Sequence, residues 1–342
     1  MQKTTIYTLA KELNMTPSMI SRALNPNGKI SAEKRKIVLE AAERQNFSLN
    51  KFASRLSMRS ISIGILINSK FEVNTEKMIS GIKAAYAELK DYKITYDITV
   101  LNPNVNTDED IRAAIEKYKG YDGVILTGMS SAKYTPLINE LHAENPNIAE
   151  VQAINPDAEC LFASKHNECV ASNLAAEFLS DCLRKSESKN VILFTGDLQS
   201  ALHSSAASAF AAACKSLNLN LLATVDMKDD EVILSGILPS VFAEHGTRVD
   251  GIYITSGISS PLFRYIEENG YDIPLVAFDT HDAVKEYMMR GIVTAAISQN
   301  VKKQMQLAFD TLAKHIINGD ESEKTIYTGP QLALKSNISQ FD

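Results

Sequence analysis

The 342-residue chain has no tryptophan, only four cysteines and no apolar run long enough to cross a membrane. Each shortage excludes something. Cys160, Cys169, Cys182 and Cys214 show no C-x-x-C spacing, so they read as free, mostly buried thiols of a reducing compartment. The six histidines, at 142, 166, 203, 245, 281 and 315, form no H-E-x-x-H and accompany no cysteine pair, which leaves no metal site. G-x-S-x-G, the P-loop and G-x-G-x-x-G are also missing. Asp279, His281 and Asp282 stand close together, but no nucleophile accompanies them. An enzyme is therefore not expected, nor a cofactor. No signal peptide leads the sequence, so a cytoplasmic protein with no membrane partner is expected.

What is present is an uneven distribution of charge. The first sixty residues hold eleven Lys and Arg against four Glu and no Asp, a balance of +7. The remaining 282 hold 24 basic against 37 acidic residues, a balance of −13. A basic head on an acidic body is the electrostatic footprint expected where one segment alone meets a polyanion.

The head reads as three short helices. Ile6, Leu9, Ala10 and Leu13 recur at the spacing of one helical face. After a turn at Asn14-Met15, Thr16 is a good N-cap and Pro17 suits the first helical position, whose N–H has no intrahelical partner. This second helix turns Ile20, Ala23 and Leu24 inward, leaves Ser18, Ser21 and Arg22 outside, and stops at Asn25-Pro26-Asn27-Gly28. Ser31 can cap a third helix with Ile37, Val38, Ala41 and Ala42 toward the core and Lys34, Arg35, Lys36 and Arg44 toward solvent. Two helices joined by a tight turn, the second exposing short polar groups and an arginine, suit a major groove. Any small helical domain shares such periodicity, so the pattern alone leaves the matter open.

The wording of the segment goes further. Thr4-Thr5-Ile6-Tyr7 with Leu9-Ala10, Thr16 through Ser21-Arg22-Ala23-Leu24-Asn25, Ser31 with Arg35, and Asn46-Phe47 with Asn50 closely resemble the DNA-binding head of the lactose/galactose repressor (LacI/GalR) family. Its patterns there are T-I-x-D-V-A, S-x-x-T-V-S-R-V-L-N, V-S-x-x-T-R and N-Y-x-P-N. The resemblance implies a helix-turn-helix domain over 1–49, with Pro17, Ser18 and Arg22 reading bases, Thr5, Tyr7, Thr16 and Ser21 on phosphates, and Asn25 in the DNA-binding set. Arg22 can hold guanine bidentately, a contact worth about 1–3 kcal/mol of discrimination. Pro17 departs from the family and offers only apolar contact. The stretch Asn50-Lys51-Phe52-Ala53-Ser54-Arg55-Leu56 is similar to the family's hinge helix, N-x-x-A-x-x-L, within a hinge over 50–60. In the family two such helices pair across a dimer and enter the minor groove; the implied roles are close helix contact for Ala53, phosphate contact for Arg55 and an unstacking wedge for Leu56, with Asn50 in the DNA-binding set, whereas without the resemblance Leu56 reads more often as an ordinary linker or core leucine. Phe47 and Leu49 replace the usual tyrosine and proline, leaving the entry to the hinge less stiff.

From Ile61 the period changes. Apolar strands at 61–67, 94–101, 121–127, 191–195, 251–255 and 273–278 alternate with helical patterns such as 76–90, 171–183, 206–217 and 301–317. This order implies an α/β fold with parallel sheets covered by helices. Some 280 residues exceed one comfortable core, so two doubly wound lobes facing a cleft are expected, with ligand beyond the carboxyl ends of the strands. The resemblance continues more loosely here, in Asn167 to Leu179 and in Ile273-Pro274-Leu275-Val276-Ala277-Phe278-Asp279-Thr280, which is similar to the family's I-P-L-V-S-F-D-D. It implies a two-lobed, periplasmic-binding-protein-like effector-binding and dimerisation domain over 61–342. The first lobe is expected at about 61–159 and 299–326, the second at about 160–298 and 327–342.

By alignment to that family the cleft is expected to be lined by Asn68, Thr127, Asn155, Ser256, Asp279 and Gln299. Asp279 and Gln299 suit a polyol, because a carboxylate accepts from adjacent hydroxyls and an amide both donates and accepts. Asp279 could instead cap a helix starting near Thr280. The family's sugar-gripping arginine is absent from the helix near His203, and His203 is the nearest polar substitute, without the guanidinium fork. The resemblance thus implies a cytoplasmic, homodimeric repressor on pseudo-palindromic double-stranded DNA, controlled by a small effector, a carbohydrate by preference. The same lobes occur in sugar-binding proteins, so a solute-binding protein without a DNA role is the alternative, and fold resemblance alone does not choose between them.

Overall fold

The computed structural model describes residues 6–24, 28–45, 60–89 and 92–341, and the chain divides after Ser60 into two units. The smaller unit holds α1 (Ile6–Glu12), α2 (Pro17–Leu24) and α3 (Ala32–Arg44). Leu9, Ala10, Ile20, Ala23, Val38, Ala41 and Ala42 form its core. The caps are as the sequence suggests: Thr16 Oγ1 accepts from the Met19 amide at 3.3 Å and Ser31 Oγ from the Lys34 amide at 3.4 Å. Asn14, at φ 51°, turns the chain between α1 and α2. One expectation fails, because Ile37 is 41 % exposed and Val38 alone of that pair enters the core.

The larger unit alternates strand and helix: β1 (Ile61–Asn68), α4 (Glu72–Leu89), β2 (Ile94–Leu101), α5 (Asp108–Tyr118), β3 (Gly123–Thr127), α6 (Thr135–Glu144), β4 (Ile148–Val151), β5 (Phe162–His166), α7 (Glu168–Cys182) and β6 (Asn190–Thr195). There follow α8 (Ala201–Ser216), β7 (Asn220–Asp226), α9 (Glu231–His245), β8 (Gly251–Ile254), α10 (Ser260–Glu268), β9 (Leu275–Phe278), α11 (Asp282–Arg290), β10 (Ala295–Ser298), α12 (Val301–Asn318), β11 (Thr325–Thr328) and β12 (Gln331–Ala333). Two six-stranded sheets result, ordered β2-β1-β3-β4-β5-β11 and β7-β6-β8-β9-β10-β12. All neighbours are parallel except β12, which runs antiparallel to β10. Helices on both faces bury strands such as β1 and β6 along nearly their whole length, which explains continuous apolar runs in place of alternation.

Each sheet reverses its winding once, beside β1 in the first and beside β6 in the second, and it is at such reversals that doubly wound sheets open a crevice. Between the lobes the chain crosses three times. The first crossing follows His166, and not residue 159 as expected, because β5 hydrogen-bonds to β4 and so belongs to the first sheet. The phrase Phe162-Ala163-Ser164-Lys165-His166 carries too little apolar pattern to announce a strand. The second crossing lies between β10 and α12, the third between β11 and β12, so the first lobe's return segment reaches Thr328 and not 326. α12 lies so close to α4 that a Cβ on Gly81 would run into the Lys302 carbonyl.

Candidate functional site

A cleft of about 850 Å³ opens between the carboxyl ends of the two sheets. Six of the seven residues expected there line it: Asn68, Thr127, His203, Ser256, Asp279 and Gln299. Asn155 does not. Its side chain donates to the carbonyls of Met129 and Ser131, at 3.2 and 3.1 Å, and accepts from Thr135 Oγ1 at 3.0 Å. With its backbone N–H on the buried Glu150 carboxylate at 3.2 Å, it fastens the loop after β3 and has no group left for a ligand.

The first-lobe wall is uncharged at its centre. Asn68 ends β1 and Thr127 ends β3, so the winding reversal itself sets them side by side. Asn68 Nδ2 donates to the Gly128 carbonyl at 3.1 Å, while its Oδ1, buried, has no partner. Thr127 Oγ1 donates to Gln152 Oε1 at 3.5 Å. His166 ends β5, with its ring tilted against Phe278 at 5.4 Å between centroids and its Nδ1 also unpartnered. Burial holds its pKa below the usual value, favouring the neutral ring. Phe71, 41 % exposed, forms the rim.

Charge concentrates on the second-lobe wall. Asp279, at φ 65°, follows β9 directly; its Oδ1 accepts from the Thr280 amide at 3.0 Å and its Oδ2 from Gln299 Nε2 at 2.8 Å. The helix after it starts only at Asp282, with His281 in the cap position, so Asp279 is not its cap. Gln299 is fixed from behind, its carbonyl accepting from Gln304 Nε2 at 2.7 Å. His281 is lined up by Ser259 Oγ at 3.3 Å, and burial lowers its pKa.

Beside this pair stands a second, which the sequence reading half saw. His203, in the first turn of α8, points Nε2 at Asp229 Oδ2 at 2.9 Å, and its Nδ1 lies 3.5 Å from Thr255 Oγ1. Ser256 Oγ donates to the other Asp229 oxygen at 2.6 Å. Burial alone would raise the Asp229 pKa, but the His203 hydrogen bond and charge, with the Ser256 hydroxyl, hold it down at about 2. Room for the pair exists because position 196 is glycine: a Cβ there would sit 2.5 Å from both His203 Nε2 and Asp229 Oδ1. Asp229, Gln152 and His166 were missed, although each lies at or just beyond a strand's carboxyl end, the signal that exposes such positions. Two consecutive left-handed residues, Lys228 and Asp229, turn the loop after β7, and no local pattern announces them.

In the smaller unit, Tyr7, Thr16, Pro17, Ser18, Ser21 and Arg22 are all exposed, whereas Ile20 and Ala23 between them are buried. Thr5, Asn25, Asn50, Ala53, Arg55 and Leu56 lie outside the described residues. Among the described residues no group of His, Cys, Asp and Glu is arranged to hold a metal ion, and no helix is long and apolar enough to cross a membrane. The four cysteines are free, but Cys169 and Cys182 are exposed, against the expectation of mostly buried thiols.

Among known protein families, the periplasmic binding protein domain matches residues 65–321, most of the chain. Catabolite control protein B of Bacillus subtilis is 28 % identical over 160 residues, covering 46 % of this chain and 49 % of the relative. The chain thus spans about half the length, or less, of the curated relatives it matches. AraP, an arabinose-binding protein from Geobacillus stearothermophilus, superposes with a TM-score of 0.73 at 15 % identity, over 83 % of this chain and 100 % of its own. A chain from Bacteroides fragilis described as a LacI transcriptional regulator superposes with a TM-score of 0.69 at 21 % identity, over 83 % and 100 %. At these identities the two structures speak for the fold alone.

Proposed function

Because the chain belongs to the periplasmic binding protein domain family, we propose that its cleft takes a sugar or related polyol and that this ligand controls binding of a homodimer to double-stranded operator DNA. The observation that carries the DNA role is the basic head: six exposed residues, Arg22 among them, on a three-helix unit within a segment of charge +7. A solute-binding protein has no use for such a segment. The similarity to a catabolite control protein points the same way. The protein then acts in the cytoplasm, as a repressor and without catalysis.

The mechanism is a shift of populations. Ligand in the cleft favours one arrangement of the lobes, and whatever ties that arrangement to the spacing of the two heads in the dimer changes operator affinity by the same free energy. Asn50, Ala53, Arg55 and Leu56 are the residues to carry that tie. The alternative, a solute-binding protein, draws on the likeness to AraP.

Electrophoretic mobility shift with genomic fragments separates the two. The expected result is retention of a pseudo-palindromic fragment that weakens steeply as salt rises, since a basic head displaces condensed counterions, and that loses sequence preference in Arg22→Ala. Failure to retain any fragment at low salt overturns the DNA role.

A further inference from the structure

From the charge balance of the cleft we infer that its ligand carries a cationic amine beside its hydroxyls, as an amino sugar or aminocyclitol does. The inference rests on the carbohydrate reading above and narrows it. Four carboxylates line the cleft, from Glu72, Asp229, Glu231 and Asp279, against one ammonium, Lys70, and no arginine among the described lining residues. Lys70 sits at the rim, 5.2 Å from the centre of the Phe71 ring.

The carboxylates are not equivalent. Asp229 has His203 as its partner, whereas Asp279, 7 % exposed, receives only uncharged amide donors, from Thr280 and Gln299. Two neutral donors leave its negative charge open to a cation on the ligand. The nearer histidines are poor candidates, because burial disfavours the charged form of both His166 and His281. Lys77, on the facing lobe, donates to Thr280 Oγ1 at 3.4 Å and to the Phe341 carbonyl at 3.2 Å.

Independent of charge, Asn68 Oδ1 and His166 Nδ1 belong to side chains 6 % and 2 % exposed on the cleft wall and lack partners, as expected where a bound molecule completes the hydrogen bonding. A neutral sugar could satisfy those atoms but gains nothing from the surplus of negative charge. A phosphorylated sugar would be repelled by it.

The test is calorimetric titration of the full-length protein with glucose, galactose and myo-inositol, with glucosamine and galactosamine, with their N-acetyl derivatives, and with glucose 6-phosphate. An amino sugar is expected to bind at least about tenfold more tightly than both its parent and its N-acetyl form, the equivalent of one modest charge interaction. Raising the ionic strength should shrink that ratio in the unmodified protein, and Asp279→Asn, which the left-handed backbone tolerates, should bring it near unity. Parent sugars that bind as well as their amines, or a preference for the phosphate, overturn the inference and leave the carbohydrate reading standing. If no member of the panel binds, the carbohydrate reading fails and the inference with it.

Discussion

The two lobes repeat one winding and yet face the cleft with different chemistry. At the reversal of the first sheet stand an amide and a hydroxyl, Asn68 and Thr127; at the corresponding place in the second stand Thr255 and Ser256, backed by the His203–Asp229 pair and flanked by Asp279. Topology therefore decides where polar groups converge, and side-chain identity decides which lobe holds the charge. The asymmetry suits a two-step grip, in which the second lobe orients the ligand by strong charged acceptors and the first closes over it with weaker neutral ones.

The largest effect should come from removing that difference. Asp279→Ala deletes a charged acceptor and should weaken sugar binding by more than about 100-fold, since hydrogen bonds to charged groups contribute about 1.5–3 kcal/mol each. Asn68→Ala, on the neutral wall, should cost no more than about tenfold. Titration calorimetry on both variants, with whichever sugar binds the unmodified protein best, decides it, and equal losses would erase the distinction between the walls.

A second way to sharpen the comparison uses pH, because Glu150 in the first lobe and Asp229 in the second have pKa shifts of opposite sign. Burial pushes Glu150, in β4, up to about 7, with only the Asn155 amide and the Cys160 thiol working against it. Its folded state thus holds a proton that the unfolded chain, titrating near 4.5, gives up, and stability should fall as pH rises from about 4.5 to 7. Glu150→Gln removes a penalty of roughly 3 kcal/mol above that range, if the new amide is accommodated. Asp229 has the reverse sign: its folded pKa of about 2 lies below the ordinary 3.8, so its contribution is present above 3.8 and lost as pH falls through 2. Urea melts at pH 5 and pH 8 should therefore diverge for the parent and converge for Glu150→Gln, and a variant with the parent's pH dependence would contradict the assignment.

The smallest effect concerns the contact between lobes. Lys77→Met removes the tie from α4 to Thr280 and Phe341, and it should reduce ligand affinity about threefold while leaving the melting temperature of the empty protein within a few degrees. A fall in melting temperature with no change in affinity would make Lys77 a support of the fold and not of closure.

Sequence reading found what short-range pattern can carry. Continuous apolar phrases such as Ile61-Ser62-Ile63-Gly64-Ile65-Leu66-Ile67 announce buried parallel strands, and polar residues just after them, Asn68 or Asp279, announce the cleft. It misassigned Asn155, because whether an amide faces a ligand or three neighbouring loop atoms depends on contacts with residues 129–135 that no local pattern encodes. It placed Ile37 in the core since a helix of thirteen residues offers a wider apolar stripe than so small a core can cover. And it passed over Asp229, whose entry into the cleft hangs on the backbone of Lys228 and Asp229 themselves.

The threefold crossing of the chain has a consequence for its order of synthesis. The ribosome makes β1 to β5 first, yet α12, whose Met305, Ala308, Phe309 and Leu312 are fully buried in the finished first lobe, emerges only after nearly all of the second lobe. The second lobe lacks only the edge strand β12 and the tail after it by then. The lobe begun first thus waits for nearly all of the second, and for the time it takes to translate some 130 residues between β5 and α12 it leaves an apolar face uncovered. That face is where a nascent-chain chaperone would be expected to hold it.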